Sequence, residues 1–378
     1  MHSRCIKRVV IEFKINTILL NNQIQTEISH LLIRWYNENR RDLPWRETND
    51  PYKIWVSEVM LQQTRVAQGL NYYLRFIEKF PSVKLLAQSS EKEVLKMWQG
   101  LGYYSRARNM HSAAKTIVSN YNSKIPNTYR EIITLKGIGE YTAAAVLSIA
   151  FNKPYAVVDG NVYRLLSRLF AIDTPIDSTA GKKQFANLAH DLLNTHNPGL
   201  HNQAIMDFGA IQCTPALPLC HSCPFRHLCS ANKLNIQLKF PIKQNKTKVR
   251  KRYFHYFYIE FEGSIYLNKR KSNDIWKNMY EFPLIETDKK MSLSDLMKTA
   301  SFNTLFSDAE ITFHQKLKTQ KHLLTHQHIY VNFYEVEMTK PIANFVDSFL
   351  RINTSDINNF PISRLIQKYL ESRELLPK

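Results

Sequence analysis

The sequence predicts a mainly α N-terminal domain, a short basic linker and an α+β C-terminal domain. Two changes of pattern carry that reading. From Thr26 to about Asn232, the segments "EISHLLIRWY", "KIWVSEVMLQQTRV", "EKEVLKMW", "ARNMHSAAKTIVSNY" and "GNVYRLLSRLF" place apolar residues three and four apart, the period of an amphipathic helix. From residue 253 the period becomes two, in "YFHYFYIEFE" and "HIYVNFYEVEM", which marks strands. Ser90 with Glu93, and Thr128 with Glu131, each form a capping box ahead of an apolar face. Residues 233–252, "KLNIQLKFPIKQNKTKVRKR", carry eight basic side chains and no acidic one, and read as the linker. "ISRLIQKYLESR" is a closing helix. The expected organisation is an extension over 1–24, a helical domain over 25–232, the linker over 233–252 and a second domain over 253–378.

A chain of 378 residues can bury two cores. Its 51 basic against 32 acidic side chains, a formal charge of +19, favour an anionic partner, and nucleic acid is the first candidate. No apolar run approaches the roughly 20 residues that span a bilayer, so no membrane partner is expected. In residues 1–24 the apolar stretches are interrupted by Glu12, Lys14 and Asn16, which argues against a signal peptide; a transit peptide competes with a plain tail. The expected place is inside the cell: the cytoplasm and its nucleoid, or the nucleus or mitochondrion of a eukaryote. Thiols stay reduced there, so the five cysteines are not expected to pair.

Cys213, Cys220, Cys223 and Cys229 follow a C-x6-C-x2-C-x5-C spacing. Four thiolates so close repel one another and need a cation; on chemistry alone, tetrahedral zinc and a four-iron cluster fit equally. In "LKGIGEY", Gly137 and Gly139 let the backbone turn where a side chain would clash and leave helix-start N–H groups open to an anion, with Lys136 as an added charge. Asp159 stands where a helix N-cap would, before "GNVYRLL". Glu58 lies among Trp55, Val56, Val59, Met60 and Leu61, and either faces solvent or sits in a pocket that raises its pKa.

The blocks "DLPWRETNDPYKIWVSEVMLQQTRV", "GLGYYSRARNMH", "LKGIGEYTAAAVLS" and "VVDGNVYRLLSRL", followed by the four-cysteine segment, resemble the helix-hairpin-helix DNA glycosylases of the endonuclease III class. The resemblance is closer to the MutY adenine DNA glycosylases and runs from about residue 27 to 230. It implies two helical lobes with a structural [4Fe-4S] cluster on the cysteines, whose basic loop His221, Arg226 and His227 would serve. It implies that Glu58 protonates adenine at N7, and that Asp159 stabilises the sugar cation by charge or by a transient covalent bond. Tyr141 would orient Asp159 or the sugar. Endonuclease III-like enzymes have a lysine at that place; tyrosine cannot form their imine, so base removal without strand cleavage is expected. Gln63 and Tyr103 would wedge into the stack, Thr64 and Leu101 touch the opposing base, and Trp45, Arg46, Val66 and Gln203 line the adenine pocket.

In the second domain "IWKNMYEFPLIE" resembles a Nudix-like domain that senses 8-oxoguanine, and "LLTHQH" places Thr325 and His326 at the lesion contact, where the family commonly has Phe-Ser-His. The glutamate cluster that holds Mg²⁺ in catalytic Nudix domains is missing from the stretch after Glu281 and Glu286, so recognition without hydrolysis is expected. The implied partner of a monomeric enzyme is double-stranded DNA with A·8-oxoguanine or A·G mispairs, with repair or replication proteins as further partners. Two readings compete: a bifunctional glycosylase/AP lyase of the endonuclease III type, and a non-catalytic, zinc-bearing DNA-binding protein.

Overall fold

The computed structural model describes residues 22–245, 248–306, 310–316, 319–340 and 348–376; residues 1–21 of the expected extension lie outside them. The chain forms two compact units, one reaching to Lys84 and resuming over Ser112–Lys246, the other made of Leu85–His111 and Thr247–Lys378.

The first unit is helical. The helix Asn22–Asn39 starts inside the segment read as an extension, and the helices Pro51–Leu61, Val66–Lys79, Glu140–Phe151, Gly160–Leu169, Thr179–Asp191 and Pro198–Asp207 follow. Trp35, Phe185, Phe208 and Phe225 fill one core together with Leu165, Leu166 and Leu169 from the apolar stripe of Gly160–Leu169. "KIWVSEVMLQQTRV", read as one helical stretch, is broken after Leu61. Gln62 leaves the helix at φ −55° and ψ 114°, and Gln63 turns left-handed at φ 56°. No glycine or proline announces this break. A tertiary contact accompanies it, because Gln62 Nε2 donates to Thr142 Oγ1 at 3.1 Å on a different helix.

Much of the basic stretch expected to run free is docked. Phe240 is buried with Ala171 and Ala231. Ile176 N–H donates to the Ile242 carbonyl at 3.0 Å, and the Asp177 carboxylate accepts the N–H groups of Gln244 at 3.0 Å and Asn245 at 2.9 Å. Phe240, with Ile236 and Ile242 packed against the same cluster, provides the burial that a purely polar linker lacks. The last three basic residues, 250–252, already belong to strand β1 (Arg250–Phe261).

In the second unit β1 runs parallel to β7 (Gln327–Met338), in register from Arg250 opposite Gln327 to Glu260 opposite Glu337. Strand β2 (Ser264–Lys269) pairs antiparallel with β1 and with β3 (Tyr280–Glu281), β4 (Leu284–Thr287) pairs antiparallel with β1, and β5 (Ile311–Lys316) and β6 (Gln320–Leu324) do so with β7. The period-two expectation held for these strands, yet both faces of β1 are covered. Phe257 packs on Phe302 and Phe306 of the helix Ala300–Phe306, while Tyr258 meets Tyr369 of the closing helix Arg364–Ser372 on the opposite face. The helix Glu91–Met97 joins this unit through Lys96 Nζ to Asn358 at 3.1 Å and the neighbouring Gln99 to Gln367 at 3.3 Å.

Both residues cap their helices, but only Ser90 forms the reciprocal box. Ser90 Oγ accepts from Glu93 N at 3.2 Å while Glu93 Oε2 accepts from Ser90 N at 2.9 Å, and Thr128 Oγ1 accepts from Glu131 N at 3.4 Å. Replacing Ser90 with alanine is expected to lower the stability of the second unit by about 1 kcal/mol, read as a lower urea midpoint.

Candidate active site

A cavity of about 960 Å³ opens in the first unit, and Glu58, Asp159 and Tyr141 all line it. It is large enough for a nucleoside. Trp45, Arg46, Gln63, Thr64, Val66, Gly139 and Gln203 line the same cavity. The chain's distant segments therefore converge as the motif order implied.

Glu58 projects from the helix Pro51–Leu61 and is only 7% exposed. Burial raises its carboxyl to about 7, helped by the nearby Asp159 charge and opposed by the hydrogen bond from Tyr141 and by Arg46. Tyr141 OH donates to Glu58 Oε2 at 2.7 Å, with Met206 Sδ at 3.3 Å. The hydroxyl expected to orient Asp159 or the sugar is thus on the glutamate, since Tyr141, in the first turn of the helix Glu140–Phe151, faces Glu58.

Asp159 caps the helix Gly160–Leu169, accepting from Asn161 N at 2.9 Å, Val162 N at 2.8 Å and Asn161 Nδ2 at 2.8 Å. Capping and site membership are both true of it. Burial raises its pKa too, but those hydrogen bonds favour the carboxylate, and Arg164 adds to them. Arg164 Nη2 in turn donates to Asn161 Oδ1 at 2.8 Å, and its Nε to the Cys213 carbonyl at 2.8 Å. A continuous hydrogen-bonded path thus runs from the aspartate to the cysteine segment.

Arg46 is fixed by Asp207, with Nη2 to Oδ1 at 2.6 Å and Nη1 to Oδ2, and Arg41 grips the same carboxylate. The Asp207 side chain is wholly buried. Burial alone would raise its pKa, but the two guanidiniums hold it below the ordinary range. Gln203 Oε1 accepts from Tyr36 OH at 2.9 Å. Sequence reading missed Arg41, Asp207, Asn161 and Arg164. Asn161 and Arg164 were within reach, being two and five residues beyond Asp159 in the same quoted motif; Asp207 carries no local signal except its place one turn after Gln203.

In the hairpin between the helices Tyr129–Ile132 and Glu140–Phe151, Leu135 and Ile138 are buried while Lys136, Gly137 and Gly139 are exposed. Gly137 has φ 84°, which requires glycine. Gly139 is extended, and a Cβ built on it meets nothing within 4 Å. Nothing inside the protein clashes there, contrary to the expectation, so the bare position concerns only what approaches from outside.

The remaining sites lie in the second unit. Tyr103, left-handed at φ 48° and exposed, shares a 2.5 Å hydrogen bond with Thr325 Oγ1. Thr325 and His326 form the two-residue turn joining β6 to β7. Leu101, expected on the opposing base, is buried instead. Glu281 is taken up by Arg270 Nη1 at 3.0 Å and Tyr256 OH at 2.8 Å, and Glu286 by Arg252 Nη2 at 2.6 Å.

Cys213, Cys220, Cys223 and Cys229 line one further cavity, walled by Leu165, Leu169, Phe208 and Phe225. None is in a disulfide. Burial first, and the neighbouring thiols next, raise Cys223 to about 12 and push Cys220 and Cys229 up. A cation is what would keep such thiols ionised. Among the described residues no three His, Cys, Asp or Glu side chains are placed to hold a single metal ion. Of the loop's basic residues, His227 pairs with Glu27 at 2.9 Å.

Residues 56–190 match the HhH-GPD superfamily of base excision DNA repair proteins, and residues 255–372 match the NUDIX domain. The helical fold, with two carboxyl groups lining one cavity, is thus of the base excision glycosylase class. A thermostable thymine-DNA glycosylase superposes with a TM-score of 0.53 at 30% identity, over 56% of this chain and 98% of that one. An endonuclease III–DNA covalent intermediate, at 22% identity and a TM-score of 0.50 over 57% of this chain and 99% of that one, shares the fold. The adenine DNA glycosylase of Buchnera aphidicola subsp. Schizaphis graminum is 32% identical over 346 residues, 91% of this chain and 97% of the relative. That of Mus musculus is 45% identical over 209 residues, 53% of this chain and 41% of the relative. The chain belongs to the adenine DNA glycosylase family.

Asp207→Ala would leave two guanidiniums without their buried partner. It is expected to cost about 3–5 kcal/mol of stability, measured as a lower thermal unfolding midpoint.

Proposed function

We propose that this protein is a monofunctional base excision repair enzyme that hydrolyses the N-glycosidic bond of adenine opposite 8-oxoguanine, and less efficiently opposite guanine. One observation carries the reading: Glu58 is buried beside Asp159 with a pKa near 7, in a cavity of nucleoside size. Breaking the bond creates a sugar with cationic character and a base that needs a proton. Glu58 holds that proton at neutral pH because burial disfavours its anion. Asp159 receives three hydrogen bonds to its carboxylate and Glu58 one, so the negative charge rests on Asp159. A carboxylate about 4 Å from the forming cation, at an effective dielectric of roughly 20, stabilises it by about 4 kcal/mol, about a thousandfold in rate.

Adenine must leave the duplex to enter the cavity. Gln63 and Tyr103 are suited to fill the gap, and both are non-glycine residues held left-handed, a strain that clusters at functional positions. Trp45, Arg46, Val66 and Gln203 would enclose the base, with Arg46 steadied by Asp207. Thr64 and Leu101 would meet the opposing base, Leu101 after leaving its buried position. The exposed turn of Thr325 and His326, with Tyr103 on Thr325, supports a lesion contact there. Lys136, Gly137 and the start of the helix Glu140–Phe151 would grip a backbone phosphate.

The four cysteines are proposed to hold a [4Fe-4S] cluster. All four line one cavity, a set of thiols that such a cluster takes. Bound there, the cluster would order the loop and, through Cys213 and Arg164, the helix that Asp159 caps.

Adenine release from an A·8-oxoguanine duplex tests the reading. Glu58→Gln and Asp159→Asn are each expected to slow single-turnover release by about a thousandfold; undiminished rates in both would end it, and a strong borohydride-trapped adduct would favour the lyase instead. Because Glu58 acts protonated and its pKa is raised to about 7, release should reach a plateau below that pH, until the Asp159 carboxylate, whose pKa burial also raises, takes up a proton. A pH–rate profile should fall about tenfold per unit above a pH of about 7.

A further inference from the structure

We propose that Gln237 donates a hydrogen bond to sulfur of the cluster held by Cys213, Cys220, Cys223 and Cys229, and thereby raises the cluster's reduction potential; this rests on the iron–sulfur reading above. Gln237 lies outside the cysteine motif, opening the 3₁₀ turn Gln237–Lys239, yet it lines the cysteine cavity.

Most of that wall is apolar, and two of the polar side chains on it are engaged. Gln212 donates to the Leu219 carbonyl at 2.7 Å and accepts from Trp35 Nε1 at 3.3 Å. Arg168 donates to the carbonyls of Thr214 at 2.7 Å, Pro215 at 2.9 Å and Gln237 itself at 2.8 Å. Arg168 therefore pins the Gln237 backbone to the segment that begins at Cys213. The Gln237 Oε1, by contrast, is buried and has no hydrogen-bond partner among the described residues. Leaving such an atom unpaired costs about 1–3 kcal/mol. Thiolate and sulfide accept hydrogen bonds and offer none. A half-turn of the carboxamide exchanges its oxygen for two N–H donors, which is the end that sulfur can pair with. N–H groups on sulfur favour the more reduced, more negative state of a cluster.

The test is the midpoint potential of the cluster-loaded protein, with loading followed by iron content and visible absorbance. Gln237→Met is expected to lower the potential, changing the oxidised-to-reduced ratio at a fixed potential about tenfold, or about 59 mV for one electron. Gln237→Leu keeps a similar volume, removes the donors and should lower it as far. Leu238→Ala, at a neighbour that is 65% exposed, should leave it unchanged. An unshifted potential in either loaded Gln237 variant overturns the proposal while the cluster stands. A wild-type protein purified without iron or visible absorbance overturns the cluster reading, and this contact falls with it.

Discussion

Asp159 accepts the N–H groups that open the helix Gly160–Leu169, and much of the first unit is arranged around that cap. A side chain that satisfies otherwise orphaned helix donors is held in place without help from substrate. The same helix carries Arg164 and Arg168, one turn apart. The first connects Asn161 to the Cys213 carbonyl, and the second ties the cysteine segment to residues 237 and 240. Ten residues thus fix an acidic group, a metal-type loop and the start of the linker relative to one another. Gly209 belongs to this arrangement, because a Cβ there would come within 2.7 Å of Asn161 Cβ.

Two carboxyl groups in one cavity need a reason to differ, and here it is the number of donors each receives. The positive charge of Arg46 works against the difference, because it lowers the Glu58 pKa. Asp207 takes up that guanidinium, and Arg41 completes the compensation of a wholly buried carboxylate. The arginine can face a neutral, polar base while most of its charge is balanced behind it. Asp207 is in this sense part of the reason that Glu58 keeps a proton.

The sequence made the ends of this arrangement legible and left its middle obscure. Glu58, Tyr141 and Asp159 stood in motifs with a recognisable order, and the cysteine spacing is hard to mistake. Helix periodicity located most elements, because each buries an apolar stripe. The break at Gln62 and Gln63 is not legible in the sequence, since it goes with a tertiary contact to Thr142 and not with a local turn former. The orientation of Tyr141 was out of reach for the same reason: one hydroxyl with two acidic neighbours is decided by packing. Phe240 and Ile242 show the converse error, in which a charge run concealed two apolar anchors.

The second unit supplies a different lesson about glutamates. Strand β1 is buried on both faces, so any acidic group beside it must be neutralised from within the fold. Arg252 and Arg270 do this, reaching Glu286, Asp274 and Glu281, and both stand over the Phe254 ring. A carboxylate so paired has its lone pairs occupied and its charge balanced, and a divalent cation would have to displace a guanidinium to bind it. The carboxylates of this sheet thus serve its interior, and the contact proposed for the second unit is left to the exposed turn of Thr325 and His326.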